Sequence, residues 1–198
     1  AQEASMEHST TSNAPGSAAA PTPDYRPRVD FSRVPGVMHV MGGLEGFARQ
    51  SGLEDSLLEL VRLRASLMNG CAYCVDMHTK DARLAGESEQ RLYAVPVWRE
   101  TPFFTPRERA ALAWTEAVTA MAAGGVPDEI YGAALKEFGE QSLVHLTMAI
   151  VAINGWNRLS VSFHAPVGQY VAGSVAKMFS GRDAGQAGSG EVKAQAAA

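Results

Sequence analysis

Two cysteines and a histidine fall at helical spacing in the middle of the chain. Cys71, Cys74 and His78 are separated by three and then four residues. At about 100° per residue, this spacing places three side chains within a sector of about 60° on one helix face. Helical residues three apart have Cα atoms roughly 5 Å apart, which is within the range that a disulfide spans. The stripe could therefore support thiol redox chemistry.

The position of the pair along the helix favours a thiolate. Asn69 and Gly70 form a helix stop signal, which places both cysteines in the first turn of the next helix. Unpaired N–H groups and the positive end of the helix dipole stabilise an anion there, and cysteines at helix N-termini can have lowered pKa values. His78, one turn beyond Cys74, is expected to act as a base or as an ion-pair partner.

A carboxylate precedes the pair inside an apolar helix. Glu59 lies in a nearly continuous run of Leu, Val and Ala residues, and a buried carboxylate is costly unless it is paired or protonated. Because the next helix folds back across a short Asn-Gly link, Glu59 could face the cysteine and histidine stripe. A carboxylate with a raised pKa beside a histidine would form a proton relay.

Each of these residues also has a structural interpretation. The cysteines could be a structural or fortuitous pair, or the stripe and Glu59 could together bind a metal ion, although structural zinc usually joins two separate ligand pairs across a loop. Glu59 could instead pair with Arg62 or Arg64. Other polar residues are interpreted as a solvated face (Asp76, Lys80, Asp81) or as structural histidines (His39, His145, His164).

Composition limits the classes of protein that the chain can represent. Its 198 residues, 46% hydrophobic and 19% charged, suffice for the core of one domain. The net charge of −4 offers no basic surplus for nucleic acid, and no apolar run approaches the ~20 residues that span a bilayer. Two cysteines do not form a stabilising disulfide framework. We find no secretory signal and expect a cytoplasmic location.

The hydrophobic periodicity predicts an all-α domain of six to eight helices. Residues 1–28 and 183–198 contain few large apolar side chains and are expected to be disordered tails around a folded unit at 29–182. A capping box of Thr105 and Glu108, with Pro106 at the first helical position, is expected to start one helix. The predicted helices cover 34–50, 56–68, 71–85 (with residue 71 or 72 as its start), 88–93, 106–123, 127–138, 141–163 and 166–179.

Three stretches of the sequence carry a resemblance to a known family. They are LLELVRLRASLMNGCAYCVDMHTKDAR, LYAVPVWRETPFFTPRERAALAWTEAVT and AINGWNRLSVSF, within residues 34–163. Through them the chain resembles the AhpD-like alkylhydroperoxidases of the carboxymuconolactone decarboxylase superfamily. The founding members have a histidine where this chain has Tyr73, and the decarboxylase relatives lack the CxxC pair.

The resemblance implies a cofactor-free peroxidase with an all-α fold. Such proteins reduce alkyl hydroperoxides with a cysteine pair and need no haem, flavin or metal. By this resemblance, Cys74 is the peroxidatic thiol and Cys71 the resolving thiol, while His78 and Glu59 form the proton relay. An external dithiol on a thioredoxin-like or lipoyl protein would reduce the disulfide. A homotrimer or homohexamer is expected, without a nucleic-acid or membrane partner.

Two other functions could use the same residues. A disulfide oxidoreductase or redox sensor would need the CxxC pair without turning over peroxide. An interaction or scaffold protein would retain the pair as an inactive remnant, and Cys74→Ser would then leave its function intact. Catalytic consumption of peroxide, supported by a dithiol donor, distinguishes the peroxidase from both.

Overall fold

Helices joined by short turns make up the part of the chain that the computed structural model describes, residues 26–175 and 177. The α-helices are α1 (Pro35–Arg49), α2 (Asp55–Met68), α3 (Ala72–Leu84), α4 (Glu89–Ala94), α5 (Pro106–Ala120) and α6 (Asp128–Phe163). Two short 3₁₀ helices, Phe31–Arg33 and Val95–Glu100, were not predicted. No strand occurs in the described part. The all-α prediction is therefore confirmed.

Helix α2 lies at the centre and contacts α3, α5 and α6. Its apolar side chains point in several directions, so that Leu58 packs with Trp114 and Ile150 in one cluster and Leu63 packs with Trp98 in another. A helix that is apolar nearly all round is stable only when other elements cover it. Because α2 is packed on several sides, the positions of its few polar side chains are fixed.

Helix α6 contains the break that the sequence predicts at Gly139. The backbone of Gly139 is non-helical, with φ 68° and ψ 170°, a conformation that glycine adopts without the steric cost of a Cβ. The two predicted helices at 127–138 and 141–163 are therefore the two parts of α6, joined by a kink at Gly139. After the kink, Leu146 and Ile150 face the core, whereas Val144 and Val151 are exposed.

Helix α5 starts as predicted and ends earlier than predicted. The Thr105 hydroxyl accepts the backbone N–H of Glu108, and the Glu108 carboxylate accepts the backbone N–H of Thr105. Pro106 occupies the first turn, where its missing N–H costs nothing. The helix ends at Ala120 because Met121 is left-handed, with φ 37°.

The segment after α6 differs from the predicted helix at 166–179. Residues 166–173 are not helical, residues 174, 175 and 177 are helical as predicted, and residues 176, 178 and 179 lie outside the described part. Instead, the Tyr170 hydroxyl and the Gly173 N–H each donate to Asp81 at 2.7 Å, and Lys80 donates to the Tyr170 carbonyl. Asp76 accepts the Gly168 N–H. The interpretation of these charged α3 residues as a purely solvated face was therefore wrong.

The ends of the predicted folded unit are described in part. The backbone N–H of Arg28 donates to the Phe163 carbonyl at 3.0 Å, and its guanidinium donates to the Ser162 carbonyl. Arg28 belongs to the predicted N-terminal tail at 1–28, of which residues 1–25 lie outside the described residues, as does the whole predicted C-terminal tail at 183–198. None of the described helices has the combination of length and apolar character needed to cross a membrane.

Candidate active site

The two cysteines lie side by side at the N-terminus of α3. Both are free thiols with 1% of their surface exposed, and their sulfur atoms are 2.6 Å apart. Cys71 is the N-cap of α3 in an extended conformation, and its Sγ accepts the backbone N–H of Cys74. The predicted helical stripe therefore holds for Cys74 and His78, whereas Cys71 lies just before the helix. A disulfide of about 2.05 Å needs only small side-chain movements from here.

The two thiols have opposite tendencies to ionise. The hydrogen bond from the Cys74 thiol lowers the pKa of Cys71 to about 6, against the effect of burial and with help from the Cys74 backbone N–H. The same hydrogen bond, together with burial, raises the pKa of Cys74. The negative charge of the resting pair is therefore held on Cys71, and the shared proton on Cys74. The expectation of a lowered pKa at the start of the helix therefore holds for Cys71, whereas for Cys74 the pKa is raised.

His78 contacts Glu59 across the interface between α3 and α2. The Nδ1 of His78 lies 2.7 Å from Oε2 of Glu59, and both residues are buried. An ionised carboxylate only accepts hydrogen bonds, so Nδ1 carries the proton of the neutral imidazole and Nε2 is left with a lone pair. Nε2 is buried and has no hydrogen-bond partner among the described residues. It is therefore free to take a proton from another group.

The predicted raised pKa of Glu59 is wrong. Burial does raise it, but His78 and Arg62 outweigh burial and lower the pKa to about 2. Arg62 donates to Glu59 at 2.8 Å, whereas Arg64 pairs with Glu116. Glu59 thus contacts the histidine and also satisfies the alternative arginine pairing. It is a permanent anion, which orients an imidazole and stabilises its cation but does not itself deliver a proton near neutral pH.

Arg62 connects this pair to α1. Its side chain is 2% exposed and donates to Glu45 at 2.8 Å, and Glu45 also contacts Arg49. Sequence reasoning considered Arg62 only as an alternative partner and missed Glu45. The signal for Glu45 was its spacing, four residues after Met41 and three before Ala48, both of which are buried.

Helix α6 supplies two polar residues beside the thiols that sequence reasoning missed. Asn157 is fully buried; its amide donates to Ser66 at 3.0 Å and its carbonyl accepts from Asn69 at 2.9 Å. The Ser160 hydroxyl lies 3.8 Å from the Cys74 sulfur. Asn157 could have been noticed because it continues the buried spacing of Ile150 and Ile153 along α6.

Two cavities border the cysteine pair. The first, of about 340 Å³, is lined by Cys74 and His78 and includes the apolar side chains of Met77 and Trp156. The second, of about 570 Å³, is lined by Cys71. Of the histidines interpreted as structural, His39 lines the first cavity, His164 lines the second, and His145 contacts the Ser51 carbonyl.

The site supplies thiol and imidazole chemistry. Among the described residues, no group of three or more His, Cys, Asp or Glu side chains is arranged to hold a metal ion. The arrangement consists of a thiol pair ready to close, a histidine with a free nitrogen and a carboxylate that holds that histidine in place. All four residues predicted from the sequence, Glu59, Cys71, Cys74 and His78, lie in or beside this cluster.

This all-α fold is shared with known proteins. The family model described as the carboxymuconolactone decarboxylase family matches residues 35–117. The protein YdfG of Bacillus subtilis (strain 168), described as uncharacterised, is 41% identical over 136 residues, which are 68% of this chain and 92% of YdfG. YnjA of Escherichia coli (strain K12), also uncharacterised, is 28% identical over 68% of this chain and 72% of its own. The chain belongs to the carboxymuconolactone decarboxylase family.

Solved structures agree with this membership. A protein of unknown function from Agrobacterium tumefaciens, named as a candidate antioxidant defence protein AhpD, is 40% identical with a TM-score of 0.70. The match covers 73% of this chain and 100% of that chain. The debrominase Bmp8 has a TM-score of 0.62 at 16% identity, covering 75% of this chain and 77% of its own. At that identity Bmp8 shows only that the fold is shared.

Proposed function

We propose that this protein is a thiol-dependent peroxidase that reduces alkyl hydroperoxides through Cys71 and Cys74. The observation that carries the proposal is the thiol pair, with sulfur atoms 2.6 Å apart, next to a histidine whose Nε2 has no partner in the described chain. The family and the name of the Agrobacterium tumefaciens relative support an antioxidant role.

Cys74 attacks the peroxide in the first cavity, which it shares with His78. Because the pKa of Cys74 is raised in the resting pair, Cys74 needs a base before it can attack. Its thiol proton leaves the hydrogen bond with Cys71 and passes to Nε2 of His78, and the Glu59 carboxylate stabilises the imidazolium. The thiolate then attacks the terminal peroxide oxygen; an S–O bond forms and the O–O bond breaks. The alkoxide takes the proton from His78 and leaves as the alcohol, and Cys74 remains as a sulfenic acid.

Cys71 resolves the sulfenic acid. In the reduced pair its pKa is lowered to about 6, so Cys71 is already a thiolate at neutral pH when the peroxide arrives. It attacks the Cys74 sulfur, the S–S bond forms, and hydroxide leaves and is protonated to water. An external dithiol, on a thioredoxin-like or lipoyl protein, returns the pair to the reduced state. We expect the reaction to take place in the cytoplasm, where thiols are kept reduced.

The lining of the first cavity favours organic peroxides. Met38, Met77 and Trp156 contribute apolar surface beside Cys74, and burial of a substrate's hydrocarbon part against such surface stabilises the complex. Hydrogen peroxide has no such part and gains only polar contacts. We therefore infer a preference for alkyl or aryl hydroperoxides.

A disulfide oxidoreductase or redox sensor is a second candidate, favoured by one observation. Cys71 is a helix N-cap with a lowered pKa, and such cysteines react well in thiol–disulfide exchange. This function would use the same cysteine pair, but it would not need His78 to transfer a proton during peroxide reduction.

Steady-state assays distinguish the two. We expect the wild-type protein to consume cumene hydroperoxide catalytically with dithiothreitol as donor, faster than hydrogen peroxide, and Cys74→Ser to be inactive. Val97→Trp, an exposed change away from both cavities, should keep wild-type activity. Wild-type consumption no faster than that by dithiothreitol alone would reject the peroxidase. Rapid reduction of a substrate disulfide under the same conditions would then support the second candidate.

A further inference from the structure

The two cysteines face different cavities although their sulfur atoms nearly touch. Cys74 lines the first cavity and not the second, and Cys71 lines the second and not the first. Tyr73 and Ser160 border both. The second cavity lies between the N-terminal turn of α3 and the end of α6 with the turn that follows it. The cysteine pair is therefore part of the wall between two separate spaces.

The walls of the two cavities differ in chemistry. In addition to its apolar surface, the first contains charged or titratable side chains of both signs: Glu45, Asp81, Arg49, His39 and His78. The second is lined mainly by small or uncharged residues, including Ala72, Val161 and Gln169, and no Asp, Glu, Lys or Arg of the described chain lines it. A donor thiolate could therefore reach Cys71 in the second cavity without passing a carboxylate, whereas the first cavity is lined by Glu45 and Asp81.

We propose that the reducing thiol enters through the second cavity and attacks Cys71, so that oxidant and reductant approach the disulfide from opposite sides. This inference rests on the proposed function for the assignment of the oxidant to the first cavity. What it adds is the cavity through which the donor enters and the sulfur atom that the donor attacks. Membership of the family specifies neither.

The exchange balances as two successive displacements. A donor thiolate attacks the Cys71 sulfur; a donor–Cys71 disulfide forms, the Cys71–Cys74 bond breaks, and Cys74 leaves with the electron pair. Cys74 leaves into the cavity that it shares with His78, and it takes up a proton released by the donor thiol, either directly from solvent or through Nε2 of His78. The second donor thiol then attacks the mixed disulfide and expels Cys71, whose lowered pKa makes it a good leaving group. The donor becomes a disulfide, and its two protons pass to the protein or solvent.

The attacked sulfur can be identified in the wild-type chain. One equivalent of diamide forms the disulfide without peroxide, 2-mercaptoethanol serves as a neutral monothiol, and N-ethylmaleimide captures the sulfur that is released. Tandem mass spectrometry should find 2-mercaptoethanol on Cys71 and N-ethylmaleimide on Cys74, in at least about tenfold excess over the reverse. A predominance of 2-mercaptoethanol on Cys74 would overturn the proposal.

A pair of tryptophan variants tests the two routes separately. Val161→Trp fills the second cavity and Met77→Trp the first. We measure the rate constant for oxidation by cumene hydroperoxide and that for reduction by dithiothreitol. Val161→Trp should lower the ratio of reduction to oxidation at least tenfold, and Met77→Trp should raise it, with Val97→Trp as the control. A shift of both ratios in the same direction, or of neither, would contradict separate routes.

The two proposals fail in different ways. A wild-type protein that does not react with peroxide rejects the peroxidase, while the diamide-generated disulfide still reports which sulfur the thiol attacks. A reactive wild-type protein that carries 2-mercaptoethanol on Cys74 rejects only the second route. If a tryptophan variant does not fold, the mapping on the wild-type chain decides the question.

Discussion

Nδ1 of His78 lies 2.7 Å from Oε2 of Glu59, where α3 crosses α2. The Glu59 carboxylate is also bonded to Arg62, so it remains ionised and fixes which nitrogen of His78 carries the proton. Nε2 is left with a lone pair and has no hydrogen-bond partner among the described residues, and His78 lines the same cavity as Cys74. In the proposed reaction the carboxylate is a positioning residue, and the imidazole is the group that moves the proton.

The first prediction concerns the rate of the peroxide step. Glu59→Gln should keep the fold and both thiols but slow single-turnover reaction with cumene hydroperoxide at least about tenfold, since positioned acid–base groups contribute ~10²–10⁴ in rate. His78→Phe should have a similar effect. Both are measured by stopped-flow, with the thermal midpoint recorded on the same samples.

A matched control separates this role from simple pairing. Glu54→Gln removes the carboxylate of the residue that caps the N-terminus of α2, where it pairs with Arg107 at an exposed site, and should keep the wild-type rate. If Glu59 only pairs with Arg62, Glu59→Gln would lose stability and keep its rate.

The second prediction concerns stability in acid. The pKa of Glu59 is lowered to about 2 from an ordinary value of 4.5, so its stabilising contribution is complete above about pH 4.5. That contribution is lost as the pH falls from 4.5 towards 2, because the unfolded chain takes up the proton first. Urea unfolding from pH 6 to pH 2 should show wild type losing roughly 3 kcal/mol more than Glu59→Gln. If the free energy of unfolding fell equally with pH in the two proteins, the lowered pKa of Glu59 would be contradicted.

The third prediction concerns Arg62. Arg62→Met leaves Glu59 and Glu45 without their buried guanidinium, and removal of one member of a buried ion pair typically costs about 3–5 kcal/mol. Arg83→Met breaks the exposed pair with Glu89 and should cost about 0–1 kcal/mol. Denaturant unfolding measures both losses. Equal losses would show that the buried cluster contributes no more than a surface pair.

Much of this site could be predicted because its signals are local. The spacing of Cys71, Cys74 and His78 and the break at Asn69 and Gly70 are short-range patterns, as is the capping box that starts α5. The break at Gly139 is also local, since it depends on the conformational freedom of one residue.

Other features depend on contacts between residues distant in the sequence. The ionisation of Glu59 is set by the partners it meets when buried, and no pattern within α2 could show that Arg62 and His78 together would outweigh burial. The contact of Tyr170 with Asp81 joins residues 89 positions apart. The segment at 166–173 has a helix-forming sequence pattern, but it is non-helical and makes hydrogen bonds to α3 instead.

The fourth prediction concerns assembly, which we propose to be a homotrimer or homohexamer. Val144 and Val151 are 60% and 43% exposed on α6, and Val40 and Phe47 are 63% and 47% exposed on α1. Apolar surface of this kind is commonly covered by another subunit. Sedimentation at micromolar concentration should give a trimer or larger, and the double variant Val144→Glu, Val151→Glu should shift the mass towards the monomer. A compact wild-type monomer would contradict the assembly.

The roles assigned to Cys71 and Cys74 are tested most directly by the consumption of peroxide in the two serine variants during a single turnover. We predict that Cys71→Ser consumes about one equivalent of cumene hydroperoxide and carries a sulfenic acid on Cys74, because the attacking thiol is present and the resolving thiol is missing. Cys74→Ser should consume none. Mass spectrometry identifies the oxidised residue. A stable sulfenic acid on Cys71 in Cys74→Ser, formed as fast as the wild-type reaction, would contradict the assigned roles, and no reaction in any of the three proteins would contradict the peroxidase itself.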